Sequence, residues 1–106
     1  MTTPGNASTQ AACDISLSFG STASGIDRPL FRDVEAYLAA APFVADVSSR
    51  SWGREGERDL CVRLQPGADA AAVFAQILER IPATTSRGWL EVTAPTGESH
   101  RVERAR

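Results

Sequence analysis

The spacing of apolar residues changes period along this chain in a definite order, and that order limits the fold more than any single motif does. Asp14-Ile-Ser-Leu-Ser-Phe19 alternates, with Ile15, Leu17 and Phe19 on one side and polar residues on the other, the pattern of a half-buried strand. Gly20-Ser-Thr-Ala-Ser-Gly25 is a loop by composition. Asp27 and Pro29 then supply a cap and a first-turn proline for a helix. Leu30, Val34, Tyr37, Leu38 and Ala41 share one stripe of that helix, and Pro42 stops it. Residues 43–52 and 59–65 return to strand patterning, the second with Leu60, Val62 and Leu64 facing inward. After the Pro66-Gly67 turn, Asp69 caps a second helix in which Ala70, Val73, Phe74, Ile77, Leu78 and Ile81 recur at helical spacing until Pro82. Trp89-Leu-Glu-Val-Thr-Ala94 alternates again, residues 95–98 turn, and residues 99–104 form a weaker, polar last strand.

The resulting order is β-α-β-β-α-β-β. Each helix has a single apolar face, so both belong on the same side of one sheet. Right-handed β-α-β crossovers then lead to a ferredoxin-like α+β sandwich, two helices on one face of a mainly antiparallel sheet of order 5-4-1-3-2. With 106 residues the chain supports one domain, read as 13–106, preceded by a flexible polar tail at 1–12.

A net charge of −2 argues against a general binder of phosphate backbones, and no apolar run approaches the roughly 18 residues of a membrane span. All eleven basic residues are arginine, which removes Schiff-base, phosphate-loop and general-base roles for lysine. The first twelve residues have neither the basic start nor the apolar stretch of a secretory signal, so Asn6-Ala7-Ser8 is not expected to be glycosylated. Cys13 and Cys61 fit no metal spacing. They are expected as reduced thiols in a cytoplasmic protein, because antiparallel first and third strands would hold them toward opposite ends.

Alternation also assigns the sheet face that the helices leave open: Asp14, Ser16, Ser18, Arg50, Trp52, Asp59, Cys61, Arg63, Gln65, Trp89, Glu91 and Thr93. RNA-recognition domains of this layout carry stacking aromatics at the centre of strands 1 and 3. Ser16, Ser18, Cys61 and Arg63 stand there instead, so nucleic acid is not the expected ligand. A lone histidine, His100, on the terminal strand offers no triad, and nothing orients it toward Cys61. Glu55, Glu57 and Asp59 are close in sequence but are expected at an exposed hairpin tip, which offers no recognisable acid–base context. No glycine-rich phosphate cradle and no metal-ligand set is present, so neither cofactor nor metal is expected.

The block Leu30-Phe-Arg-Asp-Val-Glu-Ala-Tyr-Leu-Ala-Ala-Ala-Pro-Phe-Val44 resembles the helix-proline-strand opening of the effector-associated constant component family of bacterial conflict systems. Residues 89–103 are similar to that family's closing hairpin, a strand entering a Pro-x-Gly turn and a second strand. The two blocks cover under a third of the chain, and the charged hairpin at 46–65 departs from the glycine-rich apolar segment of the family. The resemblance implies a non-catalytic adaptor between a sensor or regulator and a separate effector.

Function is therefore expected through protein–protein contact, as an adaptor, inhibitor or immunity-type partner. The expected contact residues are Arg50, Trp52, Arg54, Glu55, Arg58, Arg63 and Trp89, with the tryptophans as anchors and the charges setting specificity. For each charged residue taken singly, a solvated cross-strand pair is the plainer explanation, and each tryptophan could equally pack over a neighbouring strand. The alternative is a cavity-type ferredoxin-like enzyme or a small-ligand-binding homodimer.

Overall fold

A computed structural model describes residues 13–105. Five strands and two helices follow the expected order: β1 (Ile15–Gly20), α1 (Arg28–Ala40), β2 (Val44–Trp52), β3 (Glu57–Leu64), α2 (Ala70–Arg80), β4 (Trp89–Thr93) and β5 (Ser99–Glu103). The strands form one antiparallel sheet in the order β2-β3-β1-β4-β5, which is the expected order read from its other edge. The expected tail at 1–12 lies outside the described residues.

Local chemistry sets the helix ends. The Asp27 carboxylate accepts the Leu30 amide at 3.1 Å and, through its other oxygen, the Ser86 amide at 2.8 Å. One buried side chain thus starts α1 and also ties it to the loop that leads into β4. Asp69 accepts the amides of Ala71 and Ala72, which starts α2. Pro42 and Pro82, just beyond the last turns, prevent either helix from continuing.

One side of the sheet carries the core. Ile15, Leu17, Phe19, Leu60, Val62, Leu90 and Val92 are essentially fully buried against Leu30, Phe31, Val34 and Leu38 of α1 and Val73, Phe74 and Ile77 of α2. Phe31 lies outside the helical stripe read from the sequence, yet its ring meets Phe19 edge-on at 5.1 Å. Tyr37, Leu78 and Ile81 sit at the rim of this core, half covered. The other side of the sheet is open, as the alternation requires.

Two expectations need correcting. Cys13 and Cys61 are joined by a disulfide, with Cα atoms 5.2 Å apart, and are not the free thiols expected. The strands do run antiparallel, but β3 begins at Glu57 rather than at Asp59, and its register sets Ile15 opposite Val62 and Ser16 opposite Cys61. Cys61 therefore lies near the start of β1, within reach of Cys13. Strand alternation is indifferent to a slip of two residues, which keeps every face assignment while moving the ends, so the error was invisible to it. The earlier start of β3 has a local cause: the Glu57 carboxylate folds back and accepts the Glu55 amide at 2.7 Å, closing the turn at 53–56.

Candidate functional site

The open face is built in rows that run across the strands. At the end nearest the β2–β3 turn, the register places Trp52, Glu57, Gly20, Trp89 and Glu103 side by side. The two indoles meet over the strand between them, ring centroids 6.3 Å apart and tilted by 42°. Gly20 makes this contact sterically feasible, because a methyl group there would overlap the Trp89 ring. On the far side of Trp89 the guanidinium of Arg101 stacks 4.2 Å from its centroid. Arg101 is itself held by Glu91 at 3.5 Å and Glu103 at 2.8 Å.

The next row is polar: Arg50, Asp59, Ser18, Glu91 and Arg101. Asp59 is its hub. One carboxylate oxygen accepts from the Ser18 hydroxyl and from the Trp52 indole nitrogen, each at 2.7 Å, while the other faces Arg50 at 3.5 Å. These contacts orient Trp52, a residue that remains 36% exposed. Beyond them, the disulfide occupies the same face at Cys61, followed by Asp46 opposite Arg63.

Of the seven residues expected in the contact surface, Arg50, Trp52 and Trp89 come together around Asp59 and Gly20. Arg63 is exposed on the same face but at its other end, away from the tryptophans. Arg54 and Glu55 occupy the turn, with Arg54 exposed and Glu55 supplying the amide that Glu57 accepts. Arg58 lies elsewhere. It is in register with Phe19 on the helix-covered side, its guanidinium is 4.9 Å from the Phe31 ring, and it donates to Ser49 at 3.1 Å. Arg58 thus lies half-exposed on the helix-covered side of the sheet, not beside Trp52.

Arg101 and Glu103 were not among the expected contacts, although the sequence held a signal for them. Val102 is the buried residue of β5, and alternation around it puts 101 and 103 on the open face. Gly20 had no such signal, because a glycine ending a strand reads as the start of a loop.

An open groove of about 590 Å³ lies beside the N-terminus of α1, bounded by Arg28, Arg87 and Glu55, with Ile26 and Pro29 as its apolar lining. Arg87 donates there to the Ser24 carbonyl at 3.0 Å. The groove lies outside the core between sheet and helices. Among the described residues no group of three or more metal-ligating side chains occurs, and no helix is long and apolar enough to cross a membrane.

Removing the hub should loosen the aromatic row while leaving the core intact. Asp59→Ala is expected to cost about 1–2 kcal/mol, the range for charge-assisted but partly exposed hydrogen bonds. It should also red-shift and quench the tryptophan fluorescence as Trp52 swings into water. An emission spectrum unchanged from wild type would show that Asp59 does not hold the indole.

No family model, curated protein or solved structure matches this chain.

Proposed function

We propose that this domain is a non-catalytic protein-interaction module, an adaptor, inhibitor or immunity-type partner of a bacterial effector, and that it binds through the Trp52–Trp89 end of its open sheet face. The observation that carries the reading is Trp52 itself. A large aromatic residue stands partly exposed while Asp59, ion-paired with Arg50, accepts its indole N–H and orients it. An anchor ordered in advance loses little rotamer freedom on binding, and tryptophan flanked by arginine is the composition found at binding hot spots. Arg54 at the turn and Arg50 beside the ring add the charges that would orient an incoming surface.

The topology is read here as ferredoxin-like, and the resemblance of residues 30–44 and 89–103 to the effector-associated constant component family supports an adaptor role. The compartment belongs to the same proposal. A cytoplasmic setting with reduced thiols is the expectation from the sequence; a bonded Cys13–Cys61 pair favours instead a compartment where disulfides persist, since glutathione keeps most cytosolic cysteines reduced.

The test is capture of a partner from extracts of the source cells with immobilised wild-type domain, Trp52→Ala and Arg54→Glu. Loss of an anchor residue typically weakens binding by 2 kcal/mol or more, roughly 30-fold, so Trp52→Ala should release the partner, and Arg54→Glu should weaken capture in a salt-dependent way. Full retention by both variants, each with a wild-type circular dichroism spectrum, would overturn the reading.

A further inference from the structure

The two edges of the sheet are unlike. β5 is five residues long and charged, and the chain leaving it makes a further bridge between Arg104 and Thr85. β2 runs for nine residues, is exposed at most positions, contains neither proline nor lysine, and pairs on one side only. Natural edge strands usually carry a device that stops them pairing with another chain. Here a bulge sits near the start of β2, between Val44 and Asp46, and the regular stretch from Asp46 onward has no bulge or proline and carries one charge of each sign, Asp46 and Arg50.

That stretch reads Asp46-Val-Ser-Ser-Arg50, and its charges are placed symmetrically about Ser48. In an antiparallel pair, residues directly opposite each other point to the same face. Two copies of β2 arranged about a two-fold axis at Ser48 would set Asp46 of each opposite Arg50 of the other, Val47 opposite Ser49, and Ser48 opposite itself. Both ion pairs would fall on the open face, because Asp46 and Arg50 share it with Arg63 and Asp59, their neighbours on β3. Sliding by two residues in either direction loses both pairs: Arg50 then meets Val44 or Ser48. A slip of one would place the helix-side Val47 opposite open-face residues. Asp46 makes no ion pair among the described residues, although Arg63 stands directly across from it.

We propose that β2 is a self-pairing edge, joining two copies of this chain antiparallel about Ser48 into one continuous sheet of twice five strands. The second copy is the occupant that the charge symmetry selects, since a foreign strand would have no reason to match a pattern that complements itself. Such a dimer would present two aromatic rows on one uninterrupted open face. It does not depend on the partner proposed above, because it forms without one.

The experiment is sedimentation of the full purified chain over a concentration series reaching the millimolar, with no other protein present. Wild type is expected to pass from monomer to dimer. Asp46→Arg sets two arginines against each other at both contacts, and Arg50→Glu sets two carboxylates there. Each should weaken self-association by roughly tenfold or more, on the scale of opposed like charges across strands. An equimolar mixture of the two variants should recover the dimer, because each then supplies the charge the other lacks, and that recovery cannot come from misfolded protein. Ser48→Arg, which leaves the Arg50–Asp59 pair intact, should also abolish dimerisation while keeping a wild-type circular dichroism spectrum. A wild type that stays monomeric, single variants that dimerise as wild type does, or a mixture that stays monomeric would each overturn the proposal; the first would leave the edge to a foreign strand.

Discussion

Replacing both Cys13 and Cys61 with serine is expected to lower the stability of the domain by about 4 kcal/mol, the loss of chain entropy expected for a loop of this length. The bond spans 48 residues and closes β1, α1, β2 and half of β3 into one loop, so its removal frees nearly half the chain in the unfolded state. For a domain of this size each kcal/mol moves the melting temperature by about 4–8 °C, which makes the expected drop roughly 15–30 °C. Adding reductant to wild type should reproduce the same drop. Serine is close in size to cysteine, and Cys61 stands between Ser48 and Ser16, so the face itself should keep its shape. Melting curves for wild type with and without reductant, and for the double variant, provide the measurement. Three coincident curves would mean that the bond does not form in solution.

The second large effect is expected from a single methyl group. Gly88 has φ = +65°, and a Cβ there would overlap the carbonyl oxygen of Gly20 and lie 3.2 Å from that of Gly25. Gly88→Ala therefore meets two obstacles together, a left-handed backbone that L side chains disfavour and a collision with main chain that cannot rotate away. Their sum is expected to be about 3 kcal/mol, from roughly 1–2 for the conformation and 1–3 for overpacking. The residue immediately precedes Trp89, and the loop it closes is also pinned by the Thr85 hydroxyl, which donates to the Gly88 carbonyl at 2.8 Å. Displacing this loop should therefore melt the protein at lower temperature and disturb the Trp89 emission together. Gly20→Ala provides the contrast. Its methyl collides with a side chain, which can move, so it should unseat Trp89 and impair partner capture with a smaller loss of stability. A Gly88→Ala protein within about 0.5 kcal/mol of wild type, the range of a neutral surface change, would show that the loop is free to give way.

Strand faces and helix caps were legible from local chemistry alone. Alternation placed Trp52, Asp59, Trp89 and Glu91 on one side of the sheet and Leu17, Leu60 and Val62 on the other. The acids Asp27 and Asp69 start the two helices, as their positions before Pro29 and Ala70 suggested. The same alternation groups Arg58 with Leu60 and Val62; only the assumption that the turn extended through residue 58 made Arg58 look like a surface contact. Phe31 falls off the simple helical stripe because α1 is covered over a wider arc, by Phe19 of β1 and by the guanidinium of Arg58.

The charged hairpin at 46–65 was therefore readable as a strand pair, and its open face as a surface bearing two tryptophans. What the chain alone determined is which side of each element is apolar, because that depends on residue spacing over one or two turns or a few strand positions. What tertiary structure decided is register and reach. Register brought Cys61 to Cys13, set Trp52 and Trp89 in one row over Gly20, and made Asp59 the point where Ser18, Trp52 and Arg50 converge. These outcomes depend on pairings between residues far apart in the chain, Cys13 with Cys61 and Gly20 with Trp89 among them. A slip of two residues leaves the apolar pattern unchanged, so only the packed sheet could choose among the registers.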